Sequence, residues 1–251
     1  MSAAVAAPVP AAGLLLLLVA GAAAAELPLN GITLGTSVSA LAQALGPPAN
    51  VFSGDTGNAF AFAGRTTAYA DDDGIILAVD LRTGSPRVDV DGTPRTFPIG
   101  SYSAARADAE LADVAEYATP ALRSYRLAPR RDLVLGFAQP SNRLERVAYG
   151  EPGQLARLGL LPGEAAAKAV AYRAPQLRRS GGEVPPGGLE STVYRVAVDR
   201  AGSVRSVDVV IASHSPARDA EFAQTLLTGR YAPATLDGRA IAASIFVQVR
   251  H

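Results

Sequence analysis

Hydrophobic positions along this chain follow two periods, and the changes between them fall at turns. From Thr192 to Asp199 valines and a tyrosine alternate with other residues, the period of two that a half-buried strand needs. Asp199-Arg-Ala-Gly202 reads as a turn whose glycine can take a positive φ, and Ser203 to Ala212 as a second strand carrying Val204, Val207, Val209 and Ile211. So short a connection makes the pair an antiparallel hairpin. Ser215-Pro216 then opens a helix, with serine at the N-cap and proline where its missing N–H costs nothing. Phe222, Ala223, Leu226 and Leu227 form one stripe on that helix, which stops at Gly229. Tyr231 to Gly238 reads as a bend, and Ala240 to Val249 as a last strand. The order strand, strand, helix, strand predicts a small α+β unit, a helix laid across an antiparallel sheet.

Earlier in the chain the same two periods recur. Thr36 or Ser37 can cap a short helix carrying Val38, Leu41, Ala42 and Leu45, ended by Gly46-Pro-Pro48. A polar loop follows, then strand-like segments at Ala59–Ala63, Arg65–Ala70 and Gly74–Leu81, the last two flanking the turn Asp71-Asp-Asp-Gly74. A second helix is expected from about Ser103 to Thr119-Pro120, with Leu111, Val114 and Ala118 on it. Three more strands are expected at Leu122–Leu127, Asp132–Ala138 and Arg143–Tyr149. Helix then three strands, twice, at a period of about 65 residues, predicts an internal structural repeat. Val88 to Pro94 joins the copies and is expected to add a short edge strand. The predicted fold class is α+β: a leader or anchor over 1-25, one helix-plus-sheet module over 26-90, another over 91-174, a Gly/Pro-rich linker over 175-191 and the last unit over 192-251.

The hairpin from Tyr194, the helix after Ser213-His-Ser215 and the run Arg230-Tyr-Ala-Pro-Ala-Thr-Leu-Asp-Gly-Arg-Ala-Ile241 resemble the C-terminal domain of TonB-type proteins. That resemblance covers roughly the last quarter of the chain. It implies a domain that docks on a partner in the bacterial envelope, often by pairing its last strand with an extended peptide, and that carries no catalytic residue. Ile32 to Pro48 is similar to the modules of small outer-membrane assembly lipoproteins and of the β-lactamase inhibitory protein, where the function implied is again protein binding. The short linker differs from the long proline-rich spacer of energy-transducing TonB proteins. An anchored transducer supporting outer-membrane transport stays as an alternative.

Composition narrows the remaining classes. Lys+Arg and Asp+Glu both number 23, which provides no electrostatic footprint for nucleic acid. With no cysteine there are no disulfides, thiolates or cysteine zinc sites. Ala3 to Ala25 is almost wholly apolar and ends in Ala23-Ala-Ala25, the small residues of an export cleavage site, but no Lys or Arg precedes it. Cleaved signal and uncleaved anchor both send the chain out of the cytoplasm, with a periplasmic location expected for the first. Asp71-Asp-Asp-Gly74 lacks the alternating ligands of a calcium loop. Ser213, His214, Ser215 and Asp219 resemble a catalytic group in composition alone. Neither a metal, a cofactor nor a catalytic residue is expected, an enzyme of unrecognised type being the other alternative. The expected partner surface is the edge of the last strand, bordered by Tyr231 and Arg239 and carried by Ile241, Ile245, Val247 and Val249, where unpaired N–H and C=O groups meet an envelope protein or a second copy of the chain.

Overall fold

The computed structural model describes residues 32–90, 92–127, 131–161, 172–179 and 190–250. The expected leader over residues 1–25 and the part of the expected linker at 180–189 lie outside them. Among the described residues no helix is long and apolar enough to cross a membrane.

The chain is a mixed α/β protein built on antiparallel sheets. Helix α1 (Val38–Leu45) starts at Ser37, whose hydroxyl accepts the Ala40 N–H, and it buries Val38, Leu41 and Ala42. Four strands follow: β1 (Asn50–Gly54), β2 (Gly57–Phe62), β3 (Thr66–Ala70) and β4 (Ile76–Leu81). A separate hairpin, β5 (Arg87–Val90) with β6 (Thr93–Thr96), stands where an edge strand was expected. Helix α2 (Ala104–Glu110) is capped by Ser103 and is shorter than its apolar spacing suggests. Leu111 leaves helical geometry at φ −125°, and a single 3-10 turn leads into β7 (Ala115–Ala118). Three more strands, β8 (Leu122–Leu127), β9 (Arg131–Ala138) and β10 (Arg143–Gly150), complete one eight-stranded sheet in the order β1-β2-β3-β4-β10-β9-β8-β7.

The two four-strand sets therefore meet at their last strands, β4 against β10, Val147 opposite Leu81 and Gly150 opposite Ala78. Gly150 is required there because a Cβ would overlap that of Ala78 and lie 2.6 Å from its Cα. Beside it Asp80, on β4, is gripped by Arg146, on β10, through two bonds of 2.8 and 2.9 Å. One face of the sheet carries the main core, with Phe60, Val79, Leu133, Leu135, Phe137 and Val147 under both helices. The other face carries a smaller cluster, Ala78, Val134 and Ala148, covered by Leu155 of α3 (Pro152–Arg157) and by Leu160.

Two short strands, β11 (Tyr172–Arg173) and β12 (Gln176–Arg179), lead to the C-terminal unit. Part of the expected linker is thus strand, because β12 pairs with β15. The unit contains β13 (Ser191–Val198), β14 (Val204–Ile211), α4 (Pro216–Leu227), β15 (Arg230–Ala232), β16 (Ala234–Leu236), β17 (Arg239–Ile241) and β18 (Ala243–Arg250). Its main sheet has the order β14-β13-β18. Ala240 to Val249 is not a single strand. Asp237 and Gly238 have φ of 49° and 76°, which closes a hairpin between β16 and β17 before the chain re-enters as β18. Phe222 and Leu226 of α4 pack on Tyr194, Val196, Ile245 and Val249, one face of this sheet. The opposite face, through Val193, Phe246, Val210 and Ile211, joins the main core of the large sheet.

Candidate partner-binding edges and clefts

The expected partner residues divide between core and surface. Tyr231 is buried on β15, and loss of solvent raises its phenol pKa. Its N–H donates to the Gly202 carbonyl at 3.0 Å. Ile245 and Val249 are buried and Val247 partly so, all three facing α4. Arg239 is exposed and Ile241 half-buried on β17, in a different sheet from β18. The structure brings Ile245, Val247 and Val249 together as core beneath α4.

Backbone direction decides what an edge can offer. In an antiparallel strand successive residues turn their N–H and C=O groups to opposite sides. Phe246 donates its N–H to Ser53 Oγ at 2.9 Å, and the Ser53 hydroxyl in turn donates to Asn58 Oδ1 at 2.6 Å. The Ser244 N–H goes to Asp72 Oδ2 at 3.2 Å. Ser244 and Phe246 thus face away from β13, whereas Ile245, Val247 and Val249 face it and form the interior ladder. The outer side of β18 lies along β1, and side chains of the first half of the chain occupy two of its donors, at Ser244 and Phe246. The Phe246 ring, 3% exposed, meets Phe60 edge-on with centroids 5.0 Å apart. Although Asp72 keeps solvent contact, desolvation at this seam raises its carboxyl pKa, opposed by the bond from Ser244.

The same alternation places the other edge. Arg195 and Ala197 turn toward β14, opposite Asp208 and Ser206, which leaves Val207 and Val209 facing outward. The Asp199 N–H bond to the Ser203 carbonyl, 2.9 Å, gives the same phase from the turn. Among the described residues the outward backbone groups of Val207 and Val209 have no hydrogen-bond partner. Register shifts at Arg205 and Val210 bulge β14 at either end of this stretch. Ser203 is bridged by Arg230 beyond one bulge, and α1 lies near the other.

Two clefts lie close by. One, of about 510 Å³, runs between α1 (Ser39, Ala42, Gln43) and the end of β14 (Val210, Ile211) and includes His214 and Glu190. The His214 ring, 93% exposed, stands 3.6 Å from Glu190 and makes no contact with a serine–aspartate pair. Asp219 is instead enclosed. It accepts from Thr192 Oγ1 at 2.5 Å, from Ser213 Oγ at 2.8 Å and from the Ser213 N–H at 3.1 Å. The second cleft, about 410 Å³, holds Asn58, Asp72, Gln154, Arg157 and Tyr172. Burial, then the charge of Asp72, pushes the Tyr172 phenol up to about 12. Asp71, at its margin, spends its carboxylate on the Asp73 and Ile75 N–H groups, both 2.9 Å, as a turn does. Among the described residues no cluster of His, Cys, Asp and Glu could hold a metal ion.

No family model matches the chain, and none of the curated proteins is similar to it in sequence. Among solved structures, a cysteine-rich secretory protein from Staphylococcus aureus aligns over 53% of this chain and 49% of its own at 11% identity, with a TM-score of 0.32. The match spans about half of that protein's length.

Proposed function

We propose that this is an exported cell-envelope protein that works by holding a partner protein. Its two helix-plus-sheet sets are tandem modules fused into one sheet, and its C-terminal unit is TonB-like, engaging an extended segment of the partner by strand addition. The observation that carries this reading is the state of the C-terminal sheet. One face is under α4 and the other is seated on the large sheet, so among the described residues its unsatisfied surface is a strand edge. An edge of that kind is completed by another backbone in extended form. Catalysis by His214 and Asp219 has no support in their geometry, since Asp219 is committed to three hydrogen bonds away from the imidazole.

The experiment is binding of the full chain to fluorescent peptides that tile the periplasm-facing segments of outer-membrane receptors, read by anisotropy. Affinity for at least one extended segment, lost when that segment carries central prolines, is expected. Failure of every peptide to bind would remove strand addition from the account.

A further inference from the structure

We propose that the incoming segment pairs with β14, at Val207 and Val209, and that it carries apolar residues at alternate positions around a lysine or arginine. The proposal rests on the strand-addition reading above and specifies where and what. The outer side of β18 is already engaged by Ser53 and Asp72, with Phe246 anchored against Phe60. Opening it would expose a buried aromatic. The β14 edge requires no such rearrangement. Its two outward residues offer two N–H and two C=O groups between the bulges at Arg205 and Val210.

Side chains supply the specificity. Val207 and Val209 share one face of β14, Val207 packed under α4 and Val209 44% exposed, so the segment meets apolar surface at alternate positions. On the opposite face Asp208 is half-exposed and shares Arg195 with Asp73, at 3.1 and 2.9 Å. One guanidinium between two carboxylates leaves this cluster one negative charge in excess, while Arg205 at the neighbouring bulge is matched by Asp199, and the excess favours a basic residue opposite Asp208 on the added strand. Where β14 ends, Val210 and Ile211 line the cleft against α1, which has room for residues beyond the paired stretch. A second copy of this chain fits poorly. Antiparallel self-pairing that joins Val207 to Val209 sets Asp208 directly opposite its own equivalent, in the pair where side chains come closest.

The test uses the full chain and a blocked peptide alternating valine with lysine, together with its glutamate counterpart. The lysine peptide should slow exchange of the Val207 and Val209 amide protons and bind more tightly than the glutamate peptide. V209P, which deletes an N–H that β13 does not use, should weaken binding about tenfold while the circular dichroism spectrum stays native. D208N should abolish the preference for lysine. S53A should leave affinity unchanged. Binding that protects Ser244 and Phe246 instead, strengthened by S53A and indifferent to V209P, would overturn the β14 site while leaving strand addition intact. Concentration-dependent dimerisation with protection at Val207 and Val209 would replace the peptide by a second copy. No binding of either peptide would remove both the site and the reading beneath it.

Discussion

Asp219, 4% exposed at the start of α4, accepts hydrogen bonds from β13 and from the Ser213 loop, while its own carbonyl accepts the Tyr194 hydroxyl at 3.0 Å. Sequence alone marks this aspartate by its neighbours Ser213, His214 and Ser215, and the structure gives it a tethering role. Replacing Asp219 by alanine strands three donors, and a loss of about 2–3 kcal/mol in urea unfolding is expected. H214A should change stability by less than about 0.5 kcal/mol. Legibility varied among the caps. Ser37 caps as expected and Ser103 caps as well, but Ser215 makes no side-chain cap bond, and its own N–H goes to the Ser213 hydroxyl. Two carboxylates near α2 set a pH dependence. The Arg123 fork holds the Asp108 carboxyl below its ordinary range, and Arg106, helped by the Tyr102 hydroxyl, does the same for Glu110. Depressed native pKa values stabilise the fold above about pH 4, and that contribution is lost as pH falls through the lowered values. Acid unfolding of D108N/E110Q, followed by circular dichroism, should therefore show a flatter acid limb than the native chain.

At the scale of elements, strong local signals survived and weak ones yielded to neighbours. The hairpin of β13 and β14 and the helix α4 lie where alternation and the Ser215-Pro216 break put them. The turn glycine Gly202, at φ 80°, is where a positive φ was expected. What no local pattern reveals is its crowding, since a Cβ there would overlap the Tyr231 carbonyl oxygen. G202A should accordingly destabilise the unit by more than the ordinary cost of a positive φ, about 1 kcal/mol, in chemical denaturation. Strands β1 and β7 escaped sequence reasoning. Asn50–Gly54 carries a single apolar pair, and its Phe52 is 60% exposed, so hydrogen bonding to β2 makes it a strand rather than its own alternation. Ala115–Ala118 continues a helical spacing, yet pairing with β8 wins over propensity. The expected helix over 103–119 is short for that reason.

For the whole molecule, the decisive contacts join residues far apart in sequence. Asp80 and Arg146 form an ion pair across β4 and β10, where the two halves of the sheet meet, and both side chains are largely buried. D80A would leave the Arg146 charge uncompensated, and a cost of about 3–5 kcal/mol in equilibrium unfolding is expected. Phe246 performs the corresponding task between the C-terminal sheet and the large one. F246A should cost about 3–5 kcal/mol and raise hydrogen exchange at the Ser244 amide as the seam with Ser53 and Asp72 loosens.

Local information determined what local physics can: helix starts at serine, turns at Asp-x-x-Gly, the α+β character of the chain and, in its last quarter, the β13–β14 hairpin with the helix that follows it, while the short strands β15 to β17 fell where a bend was expected. The features so determined follow from steric limits on φ, from capping and from periodicity, which act over a few residues. Tertiary structure alone decided that β4 would pair with β10 and that the outer side of β18 would be engaged by Ser53 and Asp72, leaving the outer side of β14 at Val207 and Val209 unpaired among the described residues. Edge availability depends on which distant side chain reaches a given N–H, and no period along the chain encodes that distance.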